Sequence, residues 1–167
     1  MSELSFRFAQ PEDCGKILEF VHALAEYEKM RDQVVADEAT LREWIFEKGK
    51  AEVLFAVCDG KEVGFALFCY NFSTFLGRAG IWLEDLFVLP EYRRLGVGSR
   101  AARMLTESFG GWWQLMMHPK NEPSHGFWQR TFEYEGAEKL KLRRGPRWYD
   151  GGLRGTVMTF YSKGNRK

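Results

Sequence analysis

The chain has 167 residues, with 24 Lys and Arg against 23 Asp and Glu, a formal net charge of +1, 45% hydrophobic and 16% aromatic residues. That size and apolar content suit one domain, residues 1–167, with a packed core, and exclude a disordered chain. The near balance of charge argues against a general nucleic-acid binder, which is normally clearly basic.

The three cysteines, Cys14, Cys58 and Cys69, are odd in number and form no C-x-x-C pair, so neither a disulfide framework nor a cysteine metal site is expected. His22, His118 and His125 show no ligand spacing, and no metal is expected. No apolar run reaches the roughly 20 residues of a membrane span, and the first residues carry no apolar signal core. The expectation is a cytoplasmic protein that binds neither membrane nor nucleic acid. One basic cluster, Lys139 to Arg147, is read as the solvated face of a strand, with phosphate or acidic-partner binding as the alternative.

In chain order, Leu4 to Ala9 alternates apolar and polar residues and predicts a strand. Pro11-Glu12-Asp13 opens a helix whose apolar face is Ile17, Leu18, Val21, Leu24 and Ala25. A second helix is predicted over 37–48, with Leu41, Trp44 and Ile45 inward and Gly49 at its end. Strands over 53–58 and 62–70 flank Asp59-Gly60, a strong hairpin signal. A loop over 71–80 precedes a strand over 81–89. A helix over 99–109, a strand over 112–117, a short helix over 124–132 and strands over 137–142 and 156–161 complete the chain. The order β, α, α, β, β, β, α, β, α, β, β predicts a mixed α/β (α+β) fold. Its sheet is mostly antiparallel, with one β-α-β crossover and helices on both faces.

The most informative stretch runs from Ile81 to Arg100. A β-rich segment stops at Pro90, a basic turn Arg93-Arg94-Leu95-Gly96-Val97-Gly98 comes next, and a helix begins at Ser99. A strand feeding a Gly-rich turn and a helix N-terminus is a phosphate-binding device, because backbone N–H groups and the helix dipole favour an anion there. No Gly-Lys-Ser/Thr follows, so this is not an ATP-binding loop, and the third glycine of the dinucleotide fingerprint is missing. Arg93-x-x-Gly96-x-Gly98 after a strand ending in Leu-Pro resembles the acyl-CoA pyrophosphate loop of the GNAT N-acetyltransferases. Residues 1 to about 109 resemble the diamine and polyamine (spermidine/spermine-type) members. Leu24-Ala-Glu-Tyr-Glu-Lys-Met30, Phe75 to Val88 and Asn121-Glu-Pro-Ser124 carry that resemblance. The last third departs from it. Phe127-Trp128 stands where those enzymes have Phe-Tyr, and the tail Arg147 to Val157 has no counterpart there.

The resemblance implies a GNAT fold, acetyl-CoA as co-substrate, a small-molecule amine acceptor and a homodimer. It places Leu86, Phe87 and Val88 along the pantetheine arm, with a bulge turning the Leu86 N–H toward the thioester oxygen; an unbroken strand is the alternative. Arg93, Arg94, Leu95, Gly96, Val97, Gly98 and Ser99 fall to the pyrophosphate, and Arg100 adds charge nearby. Asn121 caps the last helix or meets the pantetheine, and Ser124 lies at the edge of the CoA. Trp128 is either a CoA contact or a core aromatic; its indole N–H can donate a hydrogen bond but cannot serve as an acid.

Glu84 and Asp85 are adjacent acids in an apolar strand. They point to opposite faces and cannot act as one carboxylate pair. Glu84 is the candidate general base, acting through water, and burial of its charge would need compensation. Asp85 attracts the cationic acceptor or holds a structural hydrogen bond. Tyr27 and Glu28, by resemblance, line the acceptor site; a solvated helix end is the plain alternative. The function expected is acetyl transfer to a primary amine of a diamine, polyamine or lysine-like compound. Another amine acceptor, or CoA binding without turnover, is the alternative.

Overall fold

The computed structural model describes residues 3–135, 138–145 and 154–164. The Gly136-Ala137 interval and residues 146–153 of the tail lie outside the described residues. Seven strands pair in the order β1-β2-β3-β4-β5-β7-β6. They are β1 (Leu4–Phe8), β2 (Glu52–Cys58), β3 (Lys61–Ser73), β4 (Arg78–Val88), β5 (Gly111–Met117), β6 (Glu138–Arg144) and β7 (Thr156–Ser162). Four helices join them: α1 (Cys14–Tyr27), α2 (Glu38–Leu41), α3 (Val97–Ser108) and α4 (Glu122–Glu135). Four of the strand pairings are antiparallel, and β4 with β5 is parallel, bridged by α3. The mixed, mostly antiparallel expectation holds. The chain divides into two compact units, Met1–Cys69 with Asp85–Gly98 and Tyr70–Glu84 with Ser99–Lys167.

In the first unit, β1 and β3 flank β2, and Ile17, Phe20, Ile45, Val53, Phe55, Phe65 and Phe87 form the core. Phe20 stacks on Phe65 at 5.4 Å. Pro11–Asp13 makes a single 3-10 turn before α1, and Asp13 serves two purposes there. Its carboxylate accepts from the Gln10 N–H and from both Arg7 Nη atoms, while Arg7 also reaches Glu62 at 2.8 Å. Hydrogen bonding to Arg7 is the main cause that holds both carboxylates below their ordinary pKa range. The Asp59-Gly60 hairpin closes as expected, with φ of 50° and 79° at the two turn residues.

The second helix departs from expectation. After one α turn, Arg42–Glu47 widens to a π-helix, and the Lys48 N–H reaches the Glu43 carbonyl five residues back. The extra residue per turn rotates the side chains of that segment about the helix axis. Ile45 stays buried, but Trp44, expected inward, is 48% exposed and carries Lys48 Nζ 3.8 Å from its ring centroid.

In the second unit, β7 lies between β5 and β6, and β4 pairs Ile81–Leu83 with Trp113–Leu115. Trp113 stacks on Phe160, and Phe160 meets Phe132 at a centroid distance of 4.1 Å. The Trp113 indole N–H donates to the Phe109 carbonyl at 2.8 Å, so this largest of the fully buried side chains keeps its polar atom satisfied. The loop expected over 71–80 is shorter, because β3 runs to Ser73 and β4 starts at Arg78. Asn71 donates to Gln114 at 2.8 Å, and the reversal is made at Gly77, whose φ is 62°. On β6, Leu140, Lys141, Leu142, Arg143 and Arg144 are all exposed, and the next buried residue, Gly145, lies beyond the strand, so this stretch is solvated on both faces rather than on one.

Candidate active site

The strand that carries most of the candidate residues changes character along its length. Ile81, Leu83 and Phe87 are buried, Glu84 is exposed, and Asp85, Leu86 and Val88 are half-buried. Two units share it, Glu84 belonging to the second and Asp85 to the first.

Within the first unit, the close of β4 is held tightly. The Leu89 N–H donates to the Val63 carbonyl at 2.9 Å. Gly64 lies so near that a Cβ there would stand 2.6 Å from the Phe87 carbonyl oxygen and 3.2 Å from the Val88 Cα. Only glycine fits against this backbone. An isolated Gly in a strand pattern is a sequence signal for such an approach, and it was there to be read.

Beyond Pro90 the chain makes one 3-10 turn and then reverses. Arg94 has φ 65° and Gly96 φ 77°. A left-handed arginine costs about 1–2 kcal/mol, a strain sustained only where the surroundings fix it. Val97, buried with Ala56 and Val63, anchors the far end of the reversal. Arg94, Leu95, Gly96 and Ser99 are left exposed and Gly98 half-buried. The first N–H groups of α3 have no carbonyl one turn back to accept them. Two left-handed residues around a helix start, with a guanidinium beside them, suit an anionic diphosphate.

Arg93 does something else. Its Nε donates to the Val88 carbonyl at 2.8 Å, and its guanidinium carbon lies 4.3 Å from the Tyr27 ring centroid and 5.2 Å from that of Phe87. Its side chain folds back onto the end of α1. Tyr27, Phe87 and Arg93, assigned to two different ligands by sequence, are thus in mutual contact, with the two rings 6.3 Å apart.

Tyr27 is 44% exposed, and Glu28 beside it is exposed as well. Despite that exposure, desolvation raises the Glu28 pKa above its ordinary value. Asp85 is half-buried one strand residue from Leu86.

Within the second unit, the Glu84 carboxylate accepts a 2.5 Å hydrogen bond from the Trp82 indole N–H. Residues two apart on a strand share a face, so the pairing is built into the sequence Trp82-Leu83-Glu84. Glu84 is exposed, and the expected compensation for a buried charge is not needed. Trp82 was missed by sequence reasoning, although the two-residue spacing could have found it.

Asn121 caps α4, its Oδ1 accepting from the Ser124 N–H at 3.2 Å, and Ser124 is half-buried there. Trp128 is 6% exposed, stacked on Phe132 at 5.4 Å and edge-on to Phe127. It is packed as a core aromatic. Among the described residues no cluster of three or more metal-ligating side chains occurs. Among them, too, no helix is long and apolar enough to cross a membrane.

The sequence profile of the acetyltransferase (GNAT) family matches residues 17–134. The chain belongs to that family. It is an acetyl-CoA-dependent N-acetyltransferase of the GNAT type. The acetyltransferase is 39% identical over 116 residues to thialysine N-epsilon-acetyltransferase from Bos taurus, covering 64% of this chain and 68% of that one. It is 27% identical over 115 residues to the Homo sapiens spermidine/spermine N(1)-acetyltransferase-like protein 1, covering 64% of this chain but 16% of that longer one. Among solved structures, the diaminobutyrate acetyltransferase from Paenibacillus lautus, in complex with L-2,4-diaminobutyric acid and coenzyme A, matches with a TM-score of 0.71. The match has 12% identity over 100% of this chain and 99% of that one. At that identity the likeness bears on the fold, and it is the GNAT fold.

Proposed function

We propose that the acetyltransferase moves the acetyl group of acetyl-CoA directly to the primary amine of a small lysine-like or diamine acceptor, within a ternary complex. The observation that carries this reading is the 39% identity to the bovine thialysine enzyme. The spermidine/spermine-like relative keeps polyamines within the acceptor class.

In this reading the reversal at Arg94–Gly98 and the start of α3 receive the pyrophosphate. The backbone of Leu86, Phe87 and Val88 lies along the pantetheine. Asn121 and Ser124 stand at the opening of α4, and Tyr27, Glu28 and Asp85 face the acceptor. Gly64 keeps β3 close behind the Phe87–Val88 backbone, and so sets where its peptide groups point.

The acceptor arrives as an ammonium, because an amine of this class titrates near 10. One proton passes through water to Glu84, whose carboxylate is oriented by Trp82. The nitrogen lone pair forms the N–C bond at the thioester carbonyl, the C–S bond breaks, and its electron pair leaves on sulfur. The second nitrogen proton ends on that sulfur, giving amide and free thiol. An indole cannot supply a proton at neutral pH, so Trp128 takes no part in this transfer. The three cysteines are thiols rather than disulfides, which suits work in a reducing cytoplasm. A homodimer is the assembly expected of a polyamine-type enzyme, and residues 1–167 act as one catalytic domain.

The test is CoA thiol release from acetyl-CoA against spermidine, putrescine, thialysine, lysine, an aminoglycoside and a peptide amine. Release with thialysine or a polyamine supports the reading. Release only with the aminoglycoside or the peptide keeps the enzyme class and removes the acceptor.

A further inference from the structure

We infer that Arg93 is a positioning residue of the acceptor wall rather than a ligand of the CoA phosphates. This rests on the reading above that Tyr27 and Glu28 face the acceptor.

Arginine is a planar fork with several donors and a flat cationic face, and both are occupied here. The Nε donates to the Val88 carbonyl at 2.8 Å, which fixes the plane of the group against the end of β4. The flat face lies 4.3 Å from the Tyr27 centroid and 5.2 Å from that of Phe87, within the roughly 6 Å over which a ring quadrupole attracts a cation. Phe87 is buried, so it is a fixed floor. Tyr27 is the last residue of α1, and the chain leaves the helix immediately, with Lys29 at φ 60°. A helix end followed by a left-handed residue has little to hold its exposed ring. Arg93 supplies that hold, clamping Tyr27 to the strand from which the reversal starts. Glu28 is the next residue along, so its carboxylate is placed by the same clamp.

Two consequences separate this role from phosphate binding. The Tyr27 face turned to Arg93 is already covered by a cation, so a cationic acceptor meets the rest of the ring and Glu28. Loss of Arg93 should therefore weaken the acceptor and spare the cofactor. Lysine lacks the planar fork and the Nε donor, but keeps a charge over the ring, so Arg93→Lys should retain part of the function.

The experiment measures CoA affinity by calorimetry for the wild type, Arg93→Gln, Arg93→Lys, Tyr27→Leu and the Arg93→Gln/Tyr27→Leu pair. Binding of thialysine to the CoA-loaded protein is measured for the same set. A urea unfolding curve of each variant reports the contact itself. Arg93→Gln is expected to leave CoA affinity within about twofold and to weaken thialysine roughly threefold to tenfold, the range a cation–π contact allows. Arg93→Lys should fall between, and adding Tyr27→Leu to Arg93→Gln should produce little further loss. A drop in CoA affinity of about tenfold or more in Arg93→Gln overturns the proposal, as does full additivity of the two substitutions. If Tyr27→Leu binds thialysine as the wild type does, the acceptor reading fails. If Tyr27→Leu weakens thialysine and Arg93→Gln does not, the reading stands and the clamp is wrong. If the wild type binds no thialysine, CoA affinity and the coupling in urea decide for or against the clamp.

Discussion

Two aromatic clusters sit in the two units, and the sequence reading placed Tyr27, Phe87 and Arg93 of one against ligands and left Trp128 of the other as either a CoA contact or a core aromatic. Tyr27, Phe87 and Arg93 in the first unit keep a half-exposed ring with a cation laid on it. Phe127, Trp128, Phe132 and Phe160 in the second pack against one another, with Trp128, Phe132 and Phe160 closed from solvent. The first has a ring face and a neighbouring carboxylate to offer. The second has given nearly all of its surface to packing. A motif position shows where a residue falls in the chain. Exposure decides whether it can touch a ligand.

The comparison breaks most visibly at Trp128. Trp128→Ala should cost about 3–5 kcal/mol of stability in urea, as large-to-small core changes do. Tyr27→Ala should cost about 1 kcal/mol or less and act on amine binding instead. Equal stability losses would end the distinction between the clusters. Next in size, Gly64→Ala should cost about 1–3 kcal/mol, because its Cβ meets backbone rather than a movable side chain. Turnover should fall with it, since the displaced groups are those of Phe87 and Val88.

The acid side of the pH profile sharpens the account of the first unit. Asp13 and Glu62 are depressed by Arg7, so their contribution is present above their unfolded values of 3.8 and 4.5 and is lost as pH falls through the lower folded ones. Partial exposure of the trio limits that loss to about 1 kcal/mol or less per pair. Arg7→Gln should flatten the profile below pH 4.5. Glu28 has the opposite sign. Its raised pKa means that the fold favours its protonated form, a contribution lost as pH rises through the folded value. Glu28→Gln should leave thermal stability unchanged or slightly higher while raising the amine KM about fivefold. A loss of stability would show Glu28 to be a structural group.

Much of this was legible because it is local chemistry. Asp59-Gly60 needs two left-handed residues, Asn121 needs only its own helix, and strand alternation separates Glu84 from Asp85. The order of strands and helices came from periodicity, and the resemblance of residues 81–100 marked the turn. The features that stayed hidden depend on contacts across sequence. Nothing in the turn that carries Arg93 shows that its guanidinium lies over Tyr27, far earlier in the chain. Trp44 reads as inward until the π turn adds a residue. Trp128 sits at a motif position, and nothing in its neighbours along the chain shows that it stacks on Phe132 above Phe160.

The most direct test of the central claim is steady-state CoA release with thialysine for the wild type and Glu84→Gln, with CoA affinity measured on both. General-base loss of this kind is typically worth about 10²–10⁴ in rate. The account predicts such a fall in kcat, with CoA affinity unchanged. Turnover by Glu84→Gln within a few fold of the wild type would contradict it.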